Sequence, residues 1–354
     1  MEEEDFQKVF TRRLSTANVT TAKADEKLLD DEQYVPPPGH VSVLKGKSTD
    51  GAAGNAFVLS IGGTRMQESR TWKTASELFA RKLSWSSGNF VFGDLQRLKS
   101  FKVTTSNNTK KVKKSSGSVT ASLFGATVVD LEPEESSNFH LLVAFGEDVD
   151  RFCSNSSLFE FKGYILNGEI KCDVTKWLPE MFVYREFQIP EGWSDGSEYV
   201  QQGDVPLARS GAQIGILSQA GQNFTMVCTG GVSKPSPGPA RLLPTDSNLF
   251  LLKYPGMIWT KLPSLDQLTR SHHSQFIVNS TVNIIGGYSW SENKAKKLFP
   301  VTELTRITFS EDFEVQQIET IQLRMDCDSP LNFSPFISGF ACVGAENTVW
   351  LFGG

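Results

Sequence analysis

Phe224-Thr225-Met226-Val227-Cys228-Thr229-Gly230-Gly231 carries a near-continuous apolar run straight into a glycine pair, and the chain repeats that figure five times. It returns at Phe57 to Gly63, His140 to Gly146, Thr281 to Gly287 and Thr348 to Gly354. Four of the five end in a pair (Gly62-Gly63, Gly230-Gly231, Gly286-Gly287, Gly353-Gly354), and one ends in a single glycine, Phe145-Gly146. A unit this short cannot bury its own sheet, so units of this kind stack on their neighbours to make one core.

Each figure sits in a regular order of strands. An apolar strand precedes it at His40–Gly46, Ser118–Leu131, Ser210–Ser218, Ser271–Ser280 and Pro335–Gly344. A third strand follows the first four, at Asn89–Asp94, Ser156–Gly163, Ser247–Tyr254 and Val301–Phe309. A more polar fourth comes at Arg97–Thr104, Glu169–Thr175, Met257–Pro263 and Phe313–Leu323. Continuous apolar second strands fit burial on both faces, and alternating outer strands fit a half-exposed rim. Four strands per glycine signal is the pattern of an all-β, kelch-type β-propeller with about six blades intended and five signals visible. The glycines are read as structural: near the axis, blades crowd, and a residue without Cβ tolerates positive φ and close backbones.

The terminal glycines fall at 63, 146, 231, 287 and 354, wider than the roughly 50 residues of a plain kelch unit, so insertions are expected. Between Thr64 and Gly88, Glu77-Leu78-Phe79-Ala80-Arg81-Lys82-Leu83 reads as a short helix. A polar, basic loop lies between Thr105 and Gly117, and a long connection with Trp177 and Trp193 runs from Lys176 to Gly203. Long loops on a rigid scaffold are where binding concentrates. Residues 1–38 read as a charged N-terminal arm closed by Pro36-Pro37-Pro38-Gly39, leaving 39–354 as the propeller. Five inner strand pairs against four outer pairs make the last blade incomplete. Residues after Gly354, strands from the arm or a partner would each complete it, and the first is the favoured reading.

Composition excludes several classes. The 354 residues carry a net charge of −5, from 35 basic and 40 acidic side chains, which gives no global field for nucleic acid. No stretch reaches the ~18–20 apolar residues of a membrane helix. Met1-Glu2-Glu3-Glu4-Asp5 is the opposite of a secretory signal, and five cysteines form no CxxC pair, so an intracellular chain with free thiols is expected. No metal site, nucleophile elbow or phosphate loop stands out. The adjacent His272-His273 would point to opposite faces of a strand. Hence no catalytic residue, no metal and no cofactor is expected on this chain.

Two local features carry interaction chemistry. Lys110-Lys111-Val112-Lys113-Lys114 sets four cations on a serine-flanked loop, either a solvated loop or a neutraliser of phosphates that reads no bases. Gly203-Asp204-Val205-Pro206-Leu207-Ala208-Arg209-Ser210-Gly211 leads into a first strand, with Arg209 either a brace at the strand junction or a binding residue.

That last segment resembles the accessory, non-catalytic subunit family of the V(D)J recombinase (the second recombination-activating protein), where Gly-Asp-Val-Pro-x-Ala-Arg leads into a blade that ends in Gly-Gly. Gly203–Arg209 and Gly230-Gly231 match it here, and the resemblance continues through Asn248-Leu249-Phe250-Leu251-Leu252, Leu262-Pro263-Ser264-Leu265, Val282 to Ser289 and Leu304-Thr305-Arg306-Ile307. It is clearest from about 140 to 310. Vertebrate members continue into a zinc-binding finger that reads histone tails, and no such Cys/His array stands here, so the likeness is to the finger-less, transposon-encoded invertebrate relatives. The resemblance implies a nuclear accessory subunit that binds and stabilises a DDE-type catalytic subunit as a dimer of heterodimers. It would add sequence-independent DNA contacts during cut-and-paste recombination at terminal inverted repeats, with metal ions only in the partner. It also implies a phosphate contact for Arg209, to which the charge reading adds Lys110, Lys111, Lys113 and Lys114 as DNA-binding candidates. The rival class is a kelch adaptor docking a peptide of a signalling or ubiquitin-ligase partner, which would ordinarily carry a dimerisation domain of its own.

Overall fold

Strands of two to twelve residues account for nearly all regular structure among the described residues of the computed structural model. It describes residues 40–46, 56–66, 72–74, 77–86, 89–100, 102–105, 118–120, 123–133, 136–148, 153–154, 156–166, 169–178, 187–188, 193–194, 201–233, 243–244, 247–265, 268–290, 298–322, 341–345 and 348–352. The fold is all-β, with no α-helix among the described residues.

Four antiparallel meanders follow one another. The first sheet orders His40–Gly46, Ala56–Gly62, Glu77–Ser86 and Asn89–Ser100. The second orders Thr127–Asp130, Asn138–Ala144, Leu158–Leu166 and Glu169–Leu178. The third orders Gln213–Ala220, Asn223–Thr229, Asn248–Tyr254 and Ile258–Ser264. The fourth orders Ser274–Val278, Thr281–Ile285, Glu303–Phe309 and Val315–Gln322. A fifth unit shows the hairpin Ala341–Ala345 with Thr348–Phe352. The first strand of each sheet lies against the first strand of the next, from His40–Gly46 through to Ala341–Ala345, so the inner edges gather along one line.

The second strands show why this stacking is stable. Leu141, Leu142, Val143 and Ala144 are all fully buried. Leu141 and Val143 point into the core between sheets one and two, while Leu142 and Ala144 point into the core between sheets two and three. Met226 and Cys228 join that second core, and Val227 turns to the third with Val282 and Ile284. Period-two alternation thus feeds two cores from one strand. Each fully buried aliphatic side chain contributes about 1.5–3 kcal/mol.

The first unit differs from the sequence expectation. Glu77–Leu83 is no helix. Glu77–Ser86 is the third strand, pairing Ala80 with Leu59 on one side and Gln96 on the other. Leu78 and Ala80 alternate into the core, a period of two that the helical reading overlooked. Asn89–Ser100 is therefore the fourth strand, and Lys102–Thr105 leaves to join Ser118–Thr120 and Phe187–Gln188 in a separate small sheet. The expected strand Ser118–Leu131 is split accordingly. The long 176–203 connection is structural in part: Trp193–Ser194 lies parallel to Thr175–Lys176 at the outer edge of sheet two.

Candidate functional site at the sheet junctions

The segment that leads into sheet three is built tightly. Gly203 holds φ +76°, and a Cβ there would stand 2.2 Å from the Trp259 carbonyl oxygen, so only glycine fits. Gln202–Gly203 runs parallel to Ile258–Trp259. The Asp204 N–H donates to the Trp259 carbonyl at 3.0 Å, and Asp204 Oδ2 accepts the Lys261 N–H at 3.0 Å. The chain then turns inward to Arg209, which is 0% exposed. Its Nε donates to Leu207 O and its guanidinium to Gly230 O, both at 2.9 Å. The guanidinium carbon lies 5.7 Å from the Phe145 ring centroid and 5.1 Å from that of Phe250, within cation–π range. Arg209 is placed as the junction brace. In this conformation it offers no surface to the phosphate it was expected to meet.

The same joint recurs at the backbone level. Leu123-Phe124-Gly125, Arg209-Ser210-Gly211 and Arg270-Ser271-His272 stand in corresponding positions. Gly211 N–H donates to Gly125 O and His272 N–H to Gly211 O, both at 2.8 Å, stitching unit to unit. Gly146 N–H donates to Arg209 O at 2.9 Å, and Gly231 N–H to Arg270 O at 2.8 Å. Every described glycine signal is a left-handed pair: Gly62-Gly63, Gly230-Gly231 and Gly286-Gly287, and also Phe145-Gly146, where Phe145 holds φ +64° in the place of a glycine. A Cβ on Gly230 would stand 2.2 Å from Arg270 O, so the pair is demanded by the next unit's backbone as well as by φ.

Arg270 and His273 are junction residues whose structural part the sequence reading did not give. The signal that could have found them is the repeated Arg-Ser dipeptide at 209–210 and 270–271. Arg270 is buried, donates to Thr305 Oγ1 at 2.9 Å, and has its pKa brought down to about 10 by that burial, with the Glu303 charge opposing. Thr229 donates its hydroxyl proton to Gln275 Oε1 at 2.6 Å, so His273 Nε2, 2.8 Å away, is the donor to that hydroxyl. His273 Nδ1 and Gln275 Nε2 are buried with no partner. Burial, then the Arg270 and His272 charges, push the His273 pKa down to about 3, so the ring is neutral.

Two further polar clasps cross between sheets. Lys45 of sheet one is 0% exposed and reaches Asp130 Oδ2 at 2.8 Å and Pro133 O at 2.6 Å. Between sheets two and three, Glu160 Oε1 meets His140 Nε2 at 2.5 Å and the Tyr254 hydroxyl at 2.7 Å. Burial pushes the Glu160 carboxyl up, but the His140 and Tyr254 hydrogen bonds and the His140 and Lys162 charges outweigh it and hold the pKa at about 2. A carboxylate so firmly ionised is a poor general acid or base near neutrality, and the group serves as a clasp. Among the described residues no group of three or more His, Cys, Asp or Glu is placed to hold a metal ion.

Lys110, Lys111, Lys113 and Lys114, residues 1–38, and Gly353 and Gly354 lie outside the described residues. No family model matches the chain. No curated protein matches it either. Among solved structures, one titled "Structure of YjhT" aligns over 87% of this chain and 71% of that one, at 9% sequence identity and a TM-score of 0.40.

Proposed function

We propose that the chain is a kelch-type β-propeller of about six blades, serving as a nuclear, non-catalytic accessory subunit of a DNA recombinase or transposase. Support for the propeller comes from the inner edges gathered along one line and from the joint repeated at Gly125, Gly211 and His272. The observation that carries the functional reading is the segment Gly203–Arg209, which resembles the recombinase accessory family and here builds the lead-in to the third unit. The partner is a DDE-type catalytic subunit, joined as a dimer of heterodimers. DNA backbone contacts fall to Lys110, Lys111, Lys113 and Lys114 rather than to Arg209. Metal ions belong to the partner.

The test is affinity purification of the tagged full chain from cells, with bound proteins identified by mass spectrometry. A DDE-type nuclease in a two-to-two complex is the expected result. Recovery of a ubiquitin-ligase or signalling scaffold without any nuclease would transfer the chain to the adaptor class.

A further inference from the structure

The outer edges of the four sheets are not treated alike. The outermost strand of sheet one, Asn89–Ser100, carries Asp94, Arg97 and Lys99 and lies near Glu169–Leu178. Sheet two is capped in parallel by Trp193–Ser194, and sheet three by Gln202–Gly203. Charged residues on the edge and covering strands are the devices that block unwanted pairing. Sheet four is the least guarded: among the described residues no strand lies beyond Val315–Gln322, and that strand holds no lysine, arginine or proline and a single charge, Glu319. Gln316, Gln317, Glu319, Thr320, Ile321 and Gln322 are all exposed, Ile321 by 40%.

The charges on the described residues around this edge are mostly acidic. Across residues 301–322, Glu303, Glu311, Asp312, Glu314 and Glu319 stand against a single cation, Arg306, whose contact with Glu319 is a long 3.7 Å and half-exposed. An exposed pair of that kind neutralises little. An open ladder supplies main-chain donors and acceptors, alternate side chains supply selectivity, and the surrounding carboxylates favour a cationic visitor.

We propose that the outer edge Val315–Gln322, unpaired among the described residues, is the docking site for an extended, lysine- or arginine-bearing segment of a partner protein, which adds as a further strand to sheet four. Glu319 and Ile321 are two apart and share one face of the strand, so the segment would set a cation beside Glu319 and an apolar residue beside Ile321 on that same face. The proposal stands apart from the recombinase reading, because it concerns the chemistry of the bound segment and not the identity of its owner.

The probe is a blocked peptide Lys-Thr-Ile-Thr-Lys-Thr-Ile, which sets lysine and isoleucine in turn along one face, and a second peptide with glutamate for each lysine. Hydrogen exchange of the full chain is followed by mass spectrometry. The lysine peptide is expected to slow exchange at least tenfold within 315–322 and nowhere else, and the glutamate peptide to leave it unchanged. Ile321→Lys should weaken the lysine peptide at least tenfold. Glu319→Lys should reverse the preference between the two peptides, which keeps the test decisive if the first variant folds poorly. Equal binding of both peptides, protection outside this strand, or no protection at millimolar peptide would overturn the proposal.

Discussion

Arg209 and Arg270 occupy the same place in two successive joints, yet the space around them is filled from opposite sides. At the joint between sheets two and three, the preceding unit supplies a large ring, Phe145, and the following unit supplies a small residue, Ala212. At the joint between sheets three and four, the corresponding pair is Gly230 and His273. The preceding unit now supplies no side chain, and a Cβ on Gly230 would stand only 2.6 Å from His273 Cε1. At this pair of positions each joint carries one ring, and its origin switches. The switch explains why a phenylalanine tolerates φ +64° at 145: its ring covers Arg209 and lies 6.0 Å from Trp259. It also explains the difference in polar satisfaction. Arg209 finds two carbonyls between two phenyl rings, while His273 brings a second nitrogen that nothing meets.

The largest effect is expected at the satisfied joint. Arg209→Ala removes a buried cation and leaves the carbonyls of Leu207 and Gly230 without that donor. Disrupting a buried, hydrogen-bonded charge site of this kind costs about 3–5 kcal/mol, read as a lower urea midpoint. If Arg209 acts only as a brace, the salt dependence of any DNA binding by the folded variant is unchanged. A slope reduced by about one unit with unaltered stability would restore the phosphate role.

A smaller effect separates the joints by pH. The His273 pKa is lowered to about 3 in the folded chain, against an unfolded value of about 6.5. The unfolded state therefore binds more protons between those values, and stability falls as pH falls through that window. The contribution is intact above about 6.5 and declines by about 1.4 kcal/mol per pH unit below it. Glu160, held at about 2, keeps its contribution above its ordinary 4.5 and loses it only as pH falls further. Measured from pH 6.5 to 5, the wild type should lose about 2 kcal/mol more than His273→Gln. Parallel pH profiles for the two proteins would show that His273 is not held neutral.

Much of this architecture was legible in the sequence, and the limits have physical causes. The glycine signals and the strands around them could be read because positive φ and two-faced burial impose composition directly, as at Met226 to Gly231. The third strand Glu77–Ser86 is obscured because Glu77, Arg81 and Lys82 also suit a helix. Phe145 was seen as a missing glycine, since nothing local announces that a ring is needed over a residue sixty-four positions later. The edge Val315–Gln322 reads in the sequence as an ordinary outer strand, Phe313–Leu323, because what lies beyond a strand is a property of the assembled sheets. The basic loop stood out by charge alone, and charge alone does not say what it meets.

The smallest effect is the most pointed, because it tests the exchange of rings itself. Phe145→Gly relieves a left-handed phenylalanine, worth about 1 kcal/mol, but removes a buried ring whose loss costs about 3–5 kcal/mol. A net loss of roughly 2–4 kcal/mol follows from those two opposing effects. Ala212→His forces a second ring against Phe145 and should cost about 1–3 kcal/mol by overpacking. If the two positions share one space, the double variant rebuilds the arrangement of Gly230 with His273, and the losses will not add. The histidine then fills the void that the glycine leaves, and the double variant should be more stable than the sum of the singles by about 1 kcal/mol. Urea midpoints of the four proteins measure that coupling. Strict additivity within about 0.3 kcal/mol would mean that the rings occupy separate spaces and that the two joints differ for some other reason.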